Sequence, residues 1–192
     1  MYGLIDICGG GGGFSKGATG AGMKLLMSFD MDDRFRPLYE KHHGPGVFIC
    51  RELRMTLKSE FKKENKDLVD EILNALEREG VEVFHVHFSP PCNEVSPANR
   101  RRNDTDERAK LDEAFVERLR WVEKMIKDLK PTSYSVENSS STGVLFKTIP
   151  FFGFDEDLDV MELAGFGTAS DRKRVLIVRR SSSQVTMDVV AG

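Results

Sequence analysis

Cys92 has the side chain and the setting in this sequence that most readily permit covalent chemistry. It lies in the segment 89–96 (SPPCNEVS), where two prolines restrict the backbone immediately before the thiol. A thiol held in one direction can act as a nucleophile where nearby positive charge favours the thiolate, and Arg100, Arg101 and Arg102 follow closely. A structural cysteine in a proline-rich turn is the alternative, and the three arginines could form a phosphate-binding patch or a solvated loop tip.

Five consecutive glycines at positions 9–13 separate an apolar run from a segment that can begin a helix. Glycine lets the backbone approach a ligand closely and adopt positive φ. Asp30 follows about 20 residues later, at the end of the next apolar run, where its carboxylate can accept hydrogen bonds from ribose hydroxyls. Together they predict a nucleoside-containing cofactor. The spacing does not specify a dinucleotide, and a flexible turn is the alternative.

Polar residues also border two later apolar segments. Glu137 and Asn138 end a run of apolar or small residues, where a carboxyl group could donate a proton to a substrate. Arg172 and Arg174 precede another apolar run, where arginine could hold a phosphate or a base oxygen. Ordinary surface charges are the alternative for both segments.

Strand-like and helix-like patterns alternate along the chain and must position these residues. Apolar or alternating runs predict strands at residues 4–8, 24–30, 47–50, 81–88, 133–136, 159–163 and 175–180. Helices are predicted at residues 14–21, 33–43, 60–79 and 110–129. The alternation predicts an α/β fold, a mostly parallel sheet with helices on both faces. Ligands bind outside the carboxyl ends of such strands, and the residues that fall there are 9–13, Asp30, Glu52, 90–92, Glu137 and Asn138.

Composition narrows the class of protein. The 192 residues suffice for one domain with a sizeable core, and no apolar run approaches the roughly 20 residues of a membrane-spanning helix. Cysteines at 8, 50 and 92 are odd in number and lack metal-ligand spacing, so we expect no metal and a reducing, intracellular compartment. The net charge of −3 means that a nucleic acid would have to bind through a local patch.

The order of these segments resembles that of carbon-5 cytosine-specific DNA methyltransferases. Residues 6–17 (DICGGGGGFSKG) with Ala21-Gly22 resemble the family's D-L-F-A-G-x-G-G-x-S-x-G and A-G, and residues 30–32 (DMD) resemble the acidic end of its second strand. Residues 91–96 (PCNEVS) resemble P-C-Q-x-F-S, residues 130–131 with 136–139 (VENS) resemble K-P…E-N-V, and residues 170–175 (SDRKRV) resemble Q-x-R-x-R-V. The motifs keep the family's order between residues 4 and 178.

The resemblance implies S-adenosylmethionine as methyl donor and a Rossmann-like, seven-stranded, mostly parallel sheet with one antiparallel edge strand. The implied cofactor-binding residues are Asp6, Cys8, Gly10, Gly11, Gly12, Gly13, Phe14, Asp30, Met31, Glu52, Leu53 and Pro91, with Asp30 at the ribose and Glu52 near the adenine. The implied catalytic residues are Cys92, Glu137, Arg172 and Arg174. The implied substrate-binding residues are Asn93, Ser96, Asn138, Arg100, Arg101 and Arg102.

The family chemistry gives these residues roles. Cys92 would add to carbon 6 of cytosine and so make carbon 5 nucleophilic, while Glu137 would hydrogen-bond the ring nitrogen and the exocyclic amine. Arg172 and Arg174 would steady the base, which on a duplex must first be flipped out of the stack. DNA is the implied substrate. Cytosine in RNA or in a nucleotide, or a catalytically reduced subunit that binds the cofactor and regulates a partner, remain alternatives.

The sequence departs from the family pattern in places. Cys8 stands where the family has Phe, Asn93 replaces Gln, and Glu52 replaces Asp. Family members normally continue into a target recognition domain, so we expect here a catalytic domain over residues 1–180, a tail over 181–192 and no such domain. Recognition by a second chain, a substrate that is accessible without sequence choice, and an inactive relative are the open explanations.

Overall fold

The computed structural model describes residues 1–92, 104–152, 159–162 and 173–180. The described residues form one seven-stranded sheet in the order β3-β2-β1-β4-β5-β7-β6. The strands are β1 (Tyr2–Ile7), β2 (Lys24–Asp30), β3 (Phe48–Cys50), β4 (Val83–Phe88), β5 (Ser133–Ser139), β6 (Asp159–Glu162) and β7 (Lys173–Arg180). The predicted α/β class and mostly parallel sheet are confirmed.

One strand runs against the others. β7 pairs antiparallel with β5 on one side and with β6 on the other, whereas the remaining pairs are parallel. The expectation of an antiparallel edge strand was therefore wrong in position, because β6 lies outside β7 and the antiparallel strand is second from the edge.

Helices cover both faces of the sheet, as predicted. The helices are α1 (Gly13–Gly20), α2 (Arg36–His43), α3 (Lys62–Arg78), α4 (Thr105–Leu129) and α5 (Gly143–Phe146). On one face Leu4, Leu25 and Phe48 pack with Tyr39 of α2 and with Phe14 of α1. The larger core lies on the other face, where strand residues such as Ile5 and Val86 pack against α3 and α4. This division follows from strand geometry, because successive side chains point to opposite faces.

The helix boundaries follow local capping. α4 begins about five residues before the predicted start because Asp104 caps it, its side chain accepting from the backbone N–H groups of Asp106 and Glu107. This first turn is polar and so carries no apolar periodicity. After α3, Gly80 adopts a φ of +63°, as expected of the stop signal predicted there.

β5 is longer than predicted, and this moves two site residues. Antiparallel pairing with β7 places Glu137 opposite Leu176 and Asn138 opposite Val175, so the strand continues to Ser139. Glu137 and Asn138 therefore lie within β5 rather than after its end. Being consecutive strand residues, they point to opposite faces of the sheet.

Candidate active site

A cleft of about 620 Å³ opens at the carboxyl ends of β1, β2, β3 and β4. It brings together six of the predicted cofactor-binding residues: Cys8, Asp30, Met31, Glu52, Leu53 and Pro91. Sequence reasoning missed the rest of its lining, which comes mainly from the segment after β3 and from α4: Arg51, Arg54, Met55, Thr56, Lys58, Phe61, Ser89, Ala114, Glu117 and Arg118. The strand-end positions were predictable, whereas the helix contacts depend on how α4 packs.

Asp30 is held at the mouth of this cleft by the backbone. Its Oδ2 accepts from the N–H of Gly10 at 2.9 Å, and its Oδ1 accepts from the N–H of Asp32 at 3.0 Å. The two bonds tie the carboxylate to the glycine loop on one side and to its own loop on the other. An anionic acceptor fixed in this way suits the hydroxyl groups of a ribose.

Cys8 lies between the end of β1 and the glycine loop, and its backbone has an unusual conformation. Its φ of 64° is left-handed, and its N–H donates to the carbonyl of Phe29 at 2.8 Å. Burial, with the nearby carboxylates of Asp30 and Asp6, raises the pKa of the Cys8 thiol far above its ordinary value. Cys8 therefore remains a neutral thiol and is unsuited to act as a nucleophile.

The glycine loop itself faces elsewhere. Gly11, Gly12 and Gly13 line a second cavity of about 200 Å³, shared with Lys16, Leu38, Tyr39, His42 and His43. Of the predicted loop contacts, the structure thus brings only Gly10 to the large cleft, through its bond to Asp30.

The side chains of two further predicted cofactor-binding residues, Asp6 and Phe14, lie below the loop. Asp6 is fully buried, its carboxylate accepts from the hydroxyl of Ser15, and burial raises its pKa to about 6. The Phe14 ring stacks on the imidazole of His87, with 3.6 Å between centroids and an interplanar angle of 3°. Both side chains are engaged with the protein interior, so we assign them to supporting the loop.

The backbone before Cys92 is pinned from two sides. The carbonyl of Pro90 accepts from Nδ2 of Asn138 at 2.7 Å, and the carbonyl of Pro91 accepts from Nη1 of Arg118 at 3.1 Å. Cys92 is half-buried and its thiol is free. The loop that carries the predicted nucleophile is therefore fixed relative to both β5 and α4.

The side chain of Asn138, which is predicted to bind substrate, lies on the face of the sheet opposite to that of Glu137. Its side chain is buried, its amide nitrogen holds Pro90, and its Oδ1 accepts from the N–H of Ser139 at 2.9 Å. These contacts occupy both ends of the amide. Through Pro90, Asn138 holds the backbone that leads into Cys92.

Glu137 points to the opposite face and carries two contacts. Its Oε1 lies 2.6 Å from Nε of Arg174, and its Oε2 accepts from the hydroxyl of Ser89 at 3.0 Å. The side chains of Glu137 and Arg174 are 29% and 26% exposed, so the pair is shielded but still reachable. The structure thus brings together these two predicted catalytic residues and adds Ser89, which also lines the cleft.

Sequence reasoning also missed a buried polar chain that ends at Glu137. His85 and His87 of β4 alternate with apolar residues and bond to Ser133 and Ser135 of β5. The segments VFHVHF and SYSVE show the same two-residue period, which is the signal that could have revealed the match.

Six predicted site residues lie outside the described part of the chain: Asn93, Ser96, Arg100, Arg101, Arg102 and Arg172. Within the described part, no group of three or more His, Cys, Asp or Glu side chains is arranged to hold a metal ion. None of the helices described there has the length and apolar composition needed to cross a membrane.

Solved structures of methyltransferases share this fold. A protein described as a DNA modification methyltransferase, encoded within an E. coli prophage, matches 93% of this chain with a TM-score of 0.58 and 16% identity. The S. pombe Dnmt2 methyltransferase matches 97% with a TM-score of 0.57 and 12% identity, and the Spodoptera frugiperda DNMT2 matches 98% with 0.56 and 12%. The match covers 46%, 53% and 53% of those chains, so this chain spans about half their length.

The family assignment rests on the sequence pattern and agrees with the fold. A search of curated proteins found no match. The family model described as C-5 cytosine-specific DNA methylase matches residues 2–187, nearly the whole chain. The chain belongs to the C-5 cytosine-specific DNA methylase family.

Proposed function

We propose that this chain methylates carbon 5 of cytosine in DNA, with Cys92 as the covalent nucleophile and S-adenosylmethionine as the methyl donor. The observation that carries the proposal is the pinning of Pro90 and Pro91, which fixes Cys92 at the end of β4, beside the strand of Glu137. Membership of a family named for DNA supports the choice of polymer.

The residues of the large cleft fit S-adenosylmethionine. Its volume of about 620 Å³ lies within the range of small-molecule sites. Asp30 offers a fixed anionic acceptor for the ribose hydroxyls, and Leu53, Met31 and Pro91 supply apolar surface for the adenine. When bound, the cofactor would supply an electrophilic methyl group.

The chain's own residues would activate the base. The Cys92 thiolate would form a bond from its sulfur to carbon 6, and the electron pair of the carbon 5–carbon 6 double bond would be freed to form a bond from carbon 5 to the transferred methyl group, with S-adenosylhomocysteine as the leaving group. Glu137 would hydrogen-bond the ring nitrogen and the exocyclic amine, drawing charge away from the ring as the sulfur adds. Removal of the carbon-5 proton by a base would then expel the thiolate and restore the double bond.

Arg174 would hold Glu137 for this task. With Oε1 fixed by Arg174 and Oε2 by Ser89, the carboxyl group cannot rotate freely toward solvent. A preorganised group loses little freedom when the transition state forms, which is how such contacts accelerate reactions.

A methyl-transfer assay on three polymers tests the proposal. The full chain would be incubated with S-adenosylmethionine carrying a tritiated methyl group and with duplex DNA, single-stranded DNA or RNA. We expect 5-methylcytosine in DNA with the wild type and with Cys50→Ser, whose cysteine is exposed and does not line the cleft, but not with Cys92→Ser. Methyl transfer that survives in Cys92→Ser would refute the assignment of Cys92 as the nucleophile. Methyl transfer to RNA alone would refute the assignment of DNA as the substrate.

A further inference from the structure

A continuous chain of hydrogen bonds runs from the amino end to the carboxyl end of the sheet. The successive atom pairs are Tyr2 Oη to Ser133 Oγ (2.6 Å), Ser133 Oγ to His85 Nδ1 (2.6 Å), His85 Nε2 to Ser135 Oγ (2.8 Å), Ser135 Oγ to His87 Nδ1 (2.7 Å), His87 Nε2 to Ser89 Oγ (3.2 Å) and Ser89 Oγ to Glu137 Oε2 (3.0 Å). The parallel register of β4 and β5 creates it, because His85 lies opposite Ser133 and His87 opposite Ser135.

Both imidazoles in the chain are neutral. His85 and His87 are 4% and 2% exposed, and burial lowers the pKa of His85 to about 4 and that of His87 to about 3. A neutral imidazole has one N–H donor and one acceptor nitrogen, and a hydroxyl group has one proton to donate. Each member of the chain can therefore donate in one direction only.

An ionised Glu137 fixes that direction. Its carboxylate accepts the proton of Ser89, so Ser89 must accept from Nε2–H of His87, and Nδ1 of His87 must accept from Ser135. The same reasoning gives Nε2–H on His85 and ends with Tyr2 donating to Ser133. All six bonds are satisfied with every proton pointing toward Glu137.

Once Oε2 of Glu137 carries a proton, the opposite order satisfies the same six bonds, with every proton pointing toward Tyr2. We propose that this series of hydrogen bonds is a proton relay. It passes one proton from solvent at Tyr2 to Oε2 of Glu137, and the direction of every hydrogen bond in the series is reversed as it does so. Each intermediate residue gives up one proton and gains one, each histidine at opposite ring nitrogens; Glu137 gains the proton of Ser89, and the Tyr2 hydroxyl is reprotonated by water. That this proton serves the ring nitrogen of cytosine rests on the proposed function.

The surroundings suit a relay. Tyr2 is only partly buried and lies at the more solvent-exposed end of the hydrogen-bond series, while Ser89, near the other end, lines the cleft. Phe14 stacks over His87 and lies 5.7 Å from His85 between ring centroids, covering both imidazoles with an apolar ring. The charged group facing Glu137 from β7 is Arg174, which binds Oε1 and leaves Oε2 to the relay.

Glu137→Gln tests the relay without any measurement of activity. Arg174 requires an acceptor, so the glutamine carbonyl should face it and the amide N–H should face Ser89, where an acceptor stood before. We expect nitrogen-15 NMR of the full chain to show His85 and His87 as Nε2–H tautomers in the wild type and both as Nδ1–H tautomers in Glu137→Gln. Unchanged tautomers in that variant would overturn the relay, whether or not the protein is a methyltransferase.

Ser135 offers the matched test of continuity. Ser135→Ala removes the central link and leaves Ser89 and Arg174 on Glu137, whereas Ser135→Thr keeps a hydroxyl group. In Glu137→Gln combined with Ser135→Ala, the tautomer of His85 should no longer change together with that of His87.

For methyl transfer we expect kcat to fall roughly tenfold in Ser135→Ala, with recovery in Ser135→Thr and an unchanged KM for the cofactor. A wild-type kcat, pH profile and solvent isotope effect in Ser135→Ala would contradict the relay.

Discussion

Nε of Arg174 lies 2.6 Å from Oε1 of Glu137, and this ion pair joins the antiparallel strand β7 to the candidate active site on β5. Because the two residues lie on neighbouring strands, the sheet itself sets their separation. The arginine of the family's last matching motif thus acts on the carboxylate of the preceding one. In the proposed mechanism, β7 would therefore contribute to catalysis through its contact with Glu137.

Removing Arg174 should therefore impair the chemical step more than cofactor binding. We expect Arg174→Ala to lower kcat by about 10²-fold, since Glu137 would lose one of the two contacts that orient it. Cofactor affinity, measured by calorimetry, should change less than about threefold because Arg174 does not line the cleft. Arg180→Ala, an exposed position on the same strand, is the control, and an equal loss of activity there would contradict the assignment.

Asp30 should matter most for the cofactor. Asp30→Asn keeps the size of the side chain but replaces one of two acceptor oxygens with a donor, which would face the N–H of Gly10 or of Asp32. We expect the Kd for S-adenosylmethionine to rise at least about tenfold, as the loss of a charge-assisted hydrogen bond implies. Asp33→Asn, an exposed residue of the same loop paired with Arg36, should leave the Kd unchanged. Similar affinities for the two variants would refute the ribose site.

Asp6 should make stability depend on pH. Burial raises its pKa in the folded state from 3.8 to about 6, so between these values the folded protein binds more protons than the unfolded chain. The contribution of Asp6 to the free energy of unfolding therefore falls as the pH rises from about 4 to 6, by roughly 3 kcal/mol.

Asp6→Asn should remove that loss. Urea unfolding at a series of pH values should show the variant gaining on the wild type as the pH rises through this range. The exposed carboxyl of Asp67 provides the control, because Asp67→Asn should follow the wild type throughout. A difference between Asp6→Asn and the wild type that is constant with pH would contradict the raised pKa.

Asn138 should affect both stability and catalysis. Asn138→Ala leaves the buried carbonyl of Pro90 without its donor, which costs about 1–3 kcal/mol of unfolding free energy. Because the loop of Cys92 loses one of its two anchors, we also expect a lower kcat at unchanged cofactor affinity. Ser141→Ala, at an exposed position two residues after β5, is the control for the same measurements. Full activity in Asn138→Ala would show that Asn138 does not position Cys92.

The sequence predicted the part of the site that follows from strand ends. Cys8, Asp30, Glu52 and Pro91 each come at or just after the end of a predicted parallel strand, and the carboxyl ends of such strands meet at one edge of the sheet. The contribution of α4 could not be predicted in this way. Arg118 reaches Pro91 only because the helix packs across the sheet, which depends on the whole core.

The remaining differences arise from strand pairing. The sequence predicts a catalytic role for Glu137 and substrate binding for Asn138, yet adjacent residues within a strand face opposite sides. Only the pairing with β7 shows that β5 includes both residues. The relay likewise needs the register that sets His85 opposite Ser133. A single sequence shows the alternation in each strand, but it does not show which residues of two strands lie side by side.

Covalent trapping tests the central claim most directly. DNA that contains 5-fluorocytosine would be incubated with S-adenosylmethionine and the full chain, then separated on a denaturing gel. Fluorine at carbon 5 cannot be removed as a proton, so the sulfur of Cys92 should remain bound to carbon 6. We predict a stable adduct with the wild type and with Cys50→Ser, and none with Cys92→Ser. An adduct that persists in Cys92→Ser, or its absence from wild-type protein that binds cofactor and DNA, would contradict the account.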